Sequence, residues 1–225
     1  YYYFIPKFFN LSKKMFQDDQ IFSVFMFAVS AYLFYMWWDD LRYFKKSGGK
    51  VRRGACAGAA PVPAKYCLWG AVAAVGLLAL HVWTEYSLGV VSEQTSFSHW
   101  AIFSWIAAAF VEELIFRGYL VVQNKGVLAL GASMLFFSLL FALAHPFVWN
   151  YEIPEGASLL DGVWVWDFSA QPVMSTVSIF ECSVLFYLLR FMPQNSNRSL
   201  LPCIIAHATY NVGVYLVKLA QGFIA

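Results

Sequence analysis

Seven side chains from residue 112 onward in this 225-residue sequence have types and spacings that can do chemistry. In the stretch FVEELIFRGYL, residues 110–120, two carboxyls and a guanidinium interrupt residues that are otherwise apolar. Glu113 and Arg117 are four apart, so on a helix they share a face with the acid N-terminal to the base, the favourable order for an ion pair. That pairing leaves Glu112, rotated about 100° away, as a carboxylate without a partner. Further on, FALAH sets Phe141 and His145 on one helical face, and HATYN does the same for His207 and Asn211. A carboxylate without a counter-charge accepts protons well, and imidazoles and an amide donate hydrogen bonds to developing negative charge. An ion pair locking two helices would account for Glu113 and Arg117 but not for Glu112.

The elements that must carry these residues are membrane helices. The chain is 60% hydrophobic, 20% aromatic and only 12% charged, where a soluble domain carries about 25% charged residues. A net charge of +2 is too small for a nucleic-acid partner. A span needs roughly 20 mainly apolar residues, and six candidates meet this, near 21–38, 66–83, 100–122, 127–147, 173–192 and 201–220. Lipid-exposed backbone must satisfy its own hydrogen bonds, so the spans are helical. The expected fold is all-α, a polytopic transmembrane helical bundle of about six spanning helices, with no internal repeat and no soluble domain. Residues 1–99 comprise an aromatic, mixed-charge interfacial lead-in over 1–20 and two generic helices, and residues 100–225 hold the polar motifs. An ionisable group at mid-helix costs roughly 2.5–3.5 kcal/mol to insert, so such groups face the bundle interior. Three helices with polar residues on one face each therefore point to one shared pocket.

The connecting segments set an orientation. Residues 39–65 carry Arg42, Lys45, Lys46, Lys50, Arg52, Arg53 and Lys65, the mark of a cytoplasmic side. Residues 84–99 and 146–172 contain acids and no Lys or Arg, which places them outside, while Lys125 and the Arg190–Arg198 stretch belong inside. This scheme puts Lys7, Lys13 and Lys14 outside, which a missing upstream helix or a re-entrant start would explain. The first residue is Tyr1 rather than Met, so whether the natural N-terminus lies upstream is open, and no signal-peptide pattern is visible. Cys56, Cys67, Cys182 and Cys203 lack zinc-like spacing and read as small packing residues. The aromatic run DGVWVWDF, residues 161–168, suits the headgroup layer, and a substrate-gating lid is its sharper reading.

The three motifs, EExxxR, FxxxH and HxxxN in that order on apolar segments, resemble those of the CAAX prenyl protease and bacteriocin-processing family, also called the abortive-infection family of intramembrane endopeptidases. The resemblance covers roughly residues 100–220 and implies a catalytic helical core there. It implies peptide hydrolysis by a glutamate-activated water. Glu112 would be the general base and His145 would help hold the water. His207 and Asn211 would stabilise the oxyanion, and Glu113, Arg117 and Phe141 would support the site. No cofactor is favoured. Zinc is the rival, with Glu112, His145 and His207 as a one-carboxylate, two-histidine set that leaves a position for water. The implied partners are membrane lipid and a peptide or protein substrate, lipidated or tagged at its C-terminus, in a prokaryotic plasma membrane.

Two other classes stand beside this one. A proton-coupled transporter would use intramembrane acids and histidines, and Glu181 and His81, which match no motif, fit such a role. It lacks an inverted repeat or a pair of broken helices. A non-catalytic immunity protein would have no need of Glu112, His145, His207 and Asn211 together.

Overall fold

The computed structural model describes residues 20–154 and 158–224. Its α-helices are α1 (Gln20–Lys46), α2 (Ala64–Leu88), α3 (Ala101–Glu112), α4 (Val127–Ala144), α5 (Ala170–Phe191) and α6 (Leu201–Ala220). α3 continues directly into a π-helical segment, Glu113–Tyr119. The expected lead-in over residues 1–20 lies, apart from Gln20, outside the described residues.

Four of these helices, α2, α4, α5 and α6, are long and apolar enough to cross a membrane. Their outward faces carry Leu68, Trp69, Val72, Trp83, Leu135, Phe136 and Leu139 in the open. In water such contiguous apolar surface would be an association hazard, whereas lipid solvates it. The helical bundle is as expected, but several boundaries are corrected. α1 does not stop at 38 but runs on through Asp39, Asp40 and Arg42 to Lys46, because a helix can continue past the hydrocarbon and Lys45 and Lys46 complement the negative end of its dipole. The third span is not one α-helix but an α-helix followed by a π segment. α4 stops at Ala144, so His145 caps the helix instead of lying within it, at φ −91° and ψ 111°. Pro146 explains this, since the residue before a proline is driven out of the helical region.

The link from α4 to α5 is not purely irregular. Its described residues include two short antiparallel strands, β1 (Trp149–Glu152) and β2 (Val163–Trp166), with Trp149 opposite Trp166. β-branched and aromatic residues favour this pairing. All four residues of β2 are exposed. The hairpin hangs from the end of α4, where the Trp149 indole donates to the Leu143 carbonyl at 2.7 Å and Asp167 N–H donates to the Val148 carbonyl at 3.0 Å.

Three polar segments meet at one end of the bundle. Leu200 N–H donates to the Gly58 carbonyl at 3.0 Å, the Asn197 amide donates to the Pro61 carbonyl at 3.0 Å, and Ala57 N–H donates to the Tyr119 hydroxyl at 3.4 Å. Gly58 has φ +63°, and a Cβ there would fall 2.6 Å from Leu200 Cγ, so this crossing needs glycine. The basic residues around Arg52 and Arg198 thereby share one end of the bundle. At the other end Phe97 N–H donates to the Phe223 carbonyl at 2.8 Å, tying residues 89–99 to the C-terminal segment. α2 and α6 pack most extensively, and a Cβ on Gly70 would lie 2.8 Å from the Pro202 carbonyl. All four cysteines are free thiols, with Cys182 and Cys203 in the core.

Candidate active site

Arg117 and Glu113 are the most deeply buried charges of the site. Both side chains have no exposed surface, and Nη1 lies 3.1 Å from Oε1. The guanidinium sits inside an aromatic cage, with Cζ 4.5 Å from the Phe141 ring centre, 5.0 Å from Tyr187, 5.2 Å from Phe186 and 5.9 Å from Phe116. None of its side-chain nitrogens makes an aligned hydrogen bond to a described residue. Its stabilisation is therefore ionic and quadrupolar, and each desolvated cation–π contact is worth up to about 2 kcal/mol. Phe141, the first residue of FALAH, is one wall of that cage.

The chain around the pair leaves α-helical register. Leu120 N–H donates to the Ile115 carbonyl, five residues back, at 2.9 Å. Such π segments are rare and recur at functional sites. This one ends with carbonyls short of helical donors. Tyr187 of α5 supplies one, since its hydroxyl lies 2.8 Å from both the Phe116 and the Leu120 carbonyls. The π segment and its tyrosine clamp were not foreseen from the sequence. The signal available was indirect: a buried phenol must find a hydrogen-bond partner.

His207 of α6 meets both carboxyls. Nδ1 is 2.9 Å from Glu113 Oε1, while Nε2 is 3.7 Å from Glu112 Oε2, beyond direct hydrogen-bond reach. The bond to Glu113 was not expected. It means that Glu113 answers both its own π segment, through Arg117, and α6, through His207. A carboxylate only accepts, so Nδ1 carries the proton and Nε2 is the nitrogen turned to Glu112. The ring stacks on Phe186, 4.7 Å between centres. Glu112 makes no hydrogen bond to a described residue, and its side chain keeps 28% of its surface accessible.

His145 has the same design as His207. Its Nδ1 donates to the Phe141 carbonyl at 2.8 Å, which leaves Nε2 unspent. Phe141 neighbours both imidazoles, 4.8 Å from His145 and 6.3 Å from His207. Asn211 spends one amide hydrogen on the Trp105 carbonyl at 2.9 Å and so fastens α6 to α3. The structure thus brings Glu112, Glu113, Arg117, Phe141 and His207 into one cluster, with His145 beside Phe141 and Asn211 one turn along α6. Among the described residues, no three His, Cys, Asp or Glu side chains gather closely enough to hold a metal ion.

The type II CAAX prenyl endopeptidase Rce1-like family matches residues 94–213. The chain belongs to this family. The matched span begins before α3 and ends two residues after Asn211, so it takes in every residue of the cluster. No curated protein and no solved structure matches the chain. With its membrane-competent helices, this Rce1-like chain is an integral membrane protein of a CAAX-type endopeptidase family. α1 lies outside the Rce1-like span but packs on it through Trp37, which is fully buried and meets Phe110 at 6.1 Å.

Proposed function

We propose that the chain is an intramembrane endopeptidase that hydrolyses a peptide bond near a membrane-associated terminus of a protein or peptide, with Glu112 as general base. The observation that carries this reading is the division of labour between adjacent carboxyls: Glu113 is gripped by Arg117 at 3.1 Å and His207 at 2.9 Å, whereas Glu112 has only His207 Nε2 at 3.7 Å, beyond hydrogen-bond reach. A water seated against Glu112 Oε2 and the His145 and His207 Nε2 atoms gives its proton to Glu112 and attacks the scissile carbonyl carbon. The remaining Asn211 amide hydrogen donates to the oxyanion, and His207, held by Glu113 through Nδ1, is the second donor once a proton sits on its Nε2. Donors of this kind contribute about 3–4 kcal/mol each to lowering such a barrier. The proton held by Glu112 then passes to the leaving nitrogen as the C–N bond breaks. Arg117 and Phe141 keep Glu113, and through it His207, in place.

On this reading the substrate carries a lipid or a sorting tag at its C-terminus, the enzyme works in a prokaryotic plasma membrane, and no metal takes part. The test uses the purified full chain with lipidated and tagged peptides. Cleavage should vanish in Glu112→Gln while the fold is retained, and chelators should leave wild-type activity intact. Full turnover by Glu112→Gln would remove Glu112 from the mechanism. Loss on chelation with recovery on adding zinc would replace the metal-free scheme.

A further inference from the structure

A second polar chain lies outside the catalytic cluster. His81 of α2 places Nδ1 2.7 Å from the Tyr210 hydroxyl and Nε2 2.8 Å from Glu181 Oε2. The chain is satisfied when Tyr210 donates to His81 Nδ1 and His81 donates from Nε2 to an ionised Glu181. His81 and Tyr210 are buried, whereas the Glu181 side chain is 44% exposed. Its Oε1 makes no hydrogen bond to a described residue.

Glu181 opens onto a groove of about 610 Å³. Phe180, Val184, Leu185 and Leu188 of α5 form its floor, α2 forms one wall from Ala73 to Leu80, and Leu135 of α4 stands on the other side. The carboxyl is the sole charge in that lining and sits midway along a membrane-spanning helix. A lipid tail in the groove would leave Oε1 against hydrocarbon, which is strongly unfavourable for an ionised side chain at mid-helix. Lipid headgroups, at the interface, are too far away to answer it. The α2 wall is also shaped for close approach, because a Cβ on Gly76 would meet nothing within 4 Å, and small residues let a second helix come near.

We infer that this groove docks a transmembrane helix of another protein that carries a basic side chain at mid-span, with Glu181 as its counter-charge. The groove is distinct from the catalytic cluster, none of whose residues lines it. Its test therefore needs no activity assay.

The probe is a fluorescent synthetic polyleucine helix with one central lysine, compared with its all-leucine counterpart, against the labelled full chain in lipid vesicles. Energy transfer should reach half-maximum at a concentration at least ten-fold lower for the lysine helix. Glu181→Gln should erase that preference. Gly76→Leu, which fills the groove and leaves the His81 chain intact, should abolish binding of the lysine helix. Equal affinity for the two helices would make the groove a lipid slot and overturn the proposal, as would a lysine preference surviving in Glu181→Gln or binding unchanged in Gly76→Leu. Glu181-dependent transfer between labelled copies of the chain itself would overturn it in favour of a dimer seam.

Discussion

His207 is bonded to Glu113 and merely faces Glu112: 2.9 Å separates Nδ1 from the first carboxylate and 3.7 Å separates Nε2 from the second. Two neighbouring residues of one type thus acquire different duties. Glu113 is a structural anion with two cationic or donating partners on two helices. Glu112 meets only His207 Nε2, at 3.7 Å, and makes no hydrogen bond to a described residue, which is why the proposed mechanism takes it as the base.

Exchange of either carboxyl for its amide should separate these duties. Glu112→Gln should lower turnover by about 10²–10⁴, the range for a general base, with an unchanged melting temperature, since no hydrogen bond is lost. Glu113→Gln should instead destabilise the protein by about 3–5 kcal/mol, because it strands the buried Arg117 charge. Thermal melts of both variants in detergent check this, and equal melting temperatures would contradict the assignment of Glu113.

Phe141 and Arg117 should be energetically coupled. At 4.5 Å from the guanidinium, Phe141 is the nearest ring of the cage. A double-mutant cycle with Phe141→Leu and Arg117→Met, read by chemical denaturation, should return an interaction energy of about 0.5–2 kcal/mol. Strict additivity would mean that Phe141 acts by volume alone.

Tyr187 should set the catalytic geometry without touching substrate. Tyr187→Phe keeps the ring beside Arg117 but removes the proton shared by the Phe116 and Leu120 carbonyls. Leaving such acceptors unsatisfied costs about 1–3 kcal/mol. A π segment that relaxes toward α-helical register turns Glu112 relative to Glu113. The expected result is a fall in kcat with KM unchanged, together with the loss in stability. A variant that loses stability yet keeps wild-type kcat would show the clamp to be structural only.

The parts of the site legible in the sequence were those governed by local periodicity. Glu113 and Arg117, four apart, had to meet on any helix, and apolar runs with one polar face each had to turn inward. Pro146 carried the signal that His145 leaves the helix, although the FxxxH spacing invites a helical reading. Features fixed by distant contacts had no such local signal. The π register depends on a phenol 67 to 71 residues away in sequence, and the His207–Glu113 bond spans 94 residues. The turn before α6 is similar. Asn195 is buried there, donating to the Leu189, Arg190 and Ser199 carbonyls and accepting from Ser199 N–H, yet it reads in sequence as an ordinary loop asparagine.

The hairpin between α4 and α5 should loosen in acid. Asp167 accepts from Ser169 N–H at 2.9 Å just before α5, and Asp161 accepts from Ser158 N–H at 2.9 Å near the start of β2. Hydrogen bonds from Ser169 and Ser158 favour the ionised forms and hold both carboxyls below the usual carboxylate range. Because the folded values are depressed, the stabilisation is fully present above the unfolded value near about 3.9 and is lost as pH falls through the folded values. Acrylamide quenching of Trp164 and Trp166, exposed on β2, should therefore stay constant from neutral pH down to about 5 and rise below about 4. An Asp161→Asn, Asp167→Asn double variant should show the raised quenching at every pH. If that variant keeps the wild-type acid transition, the loosening originates elsewhere, with Glu152 on the facing strand the next carboxyl to test.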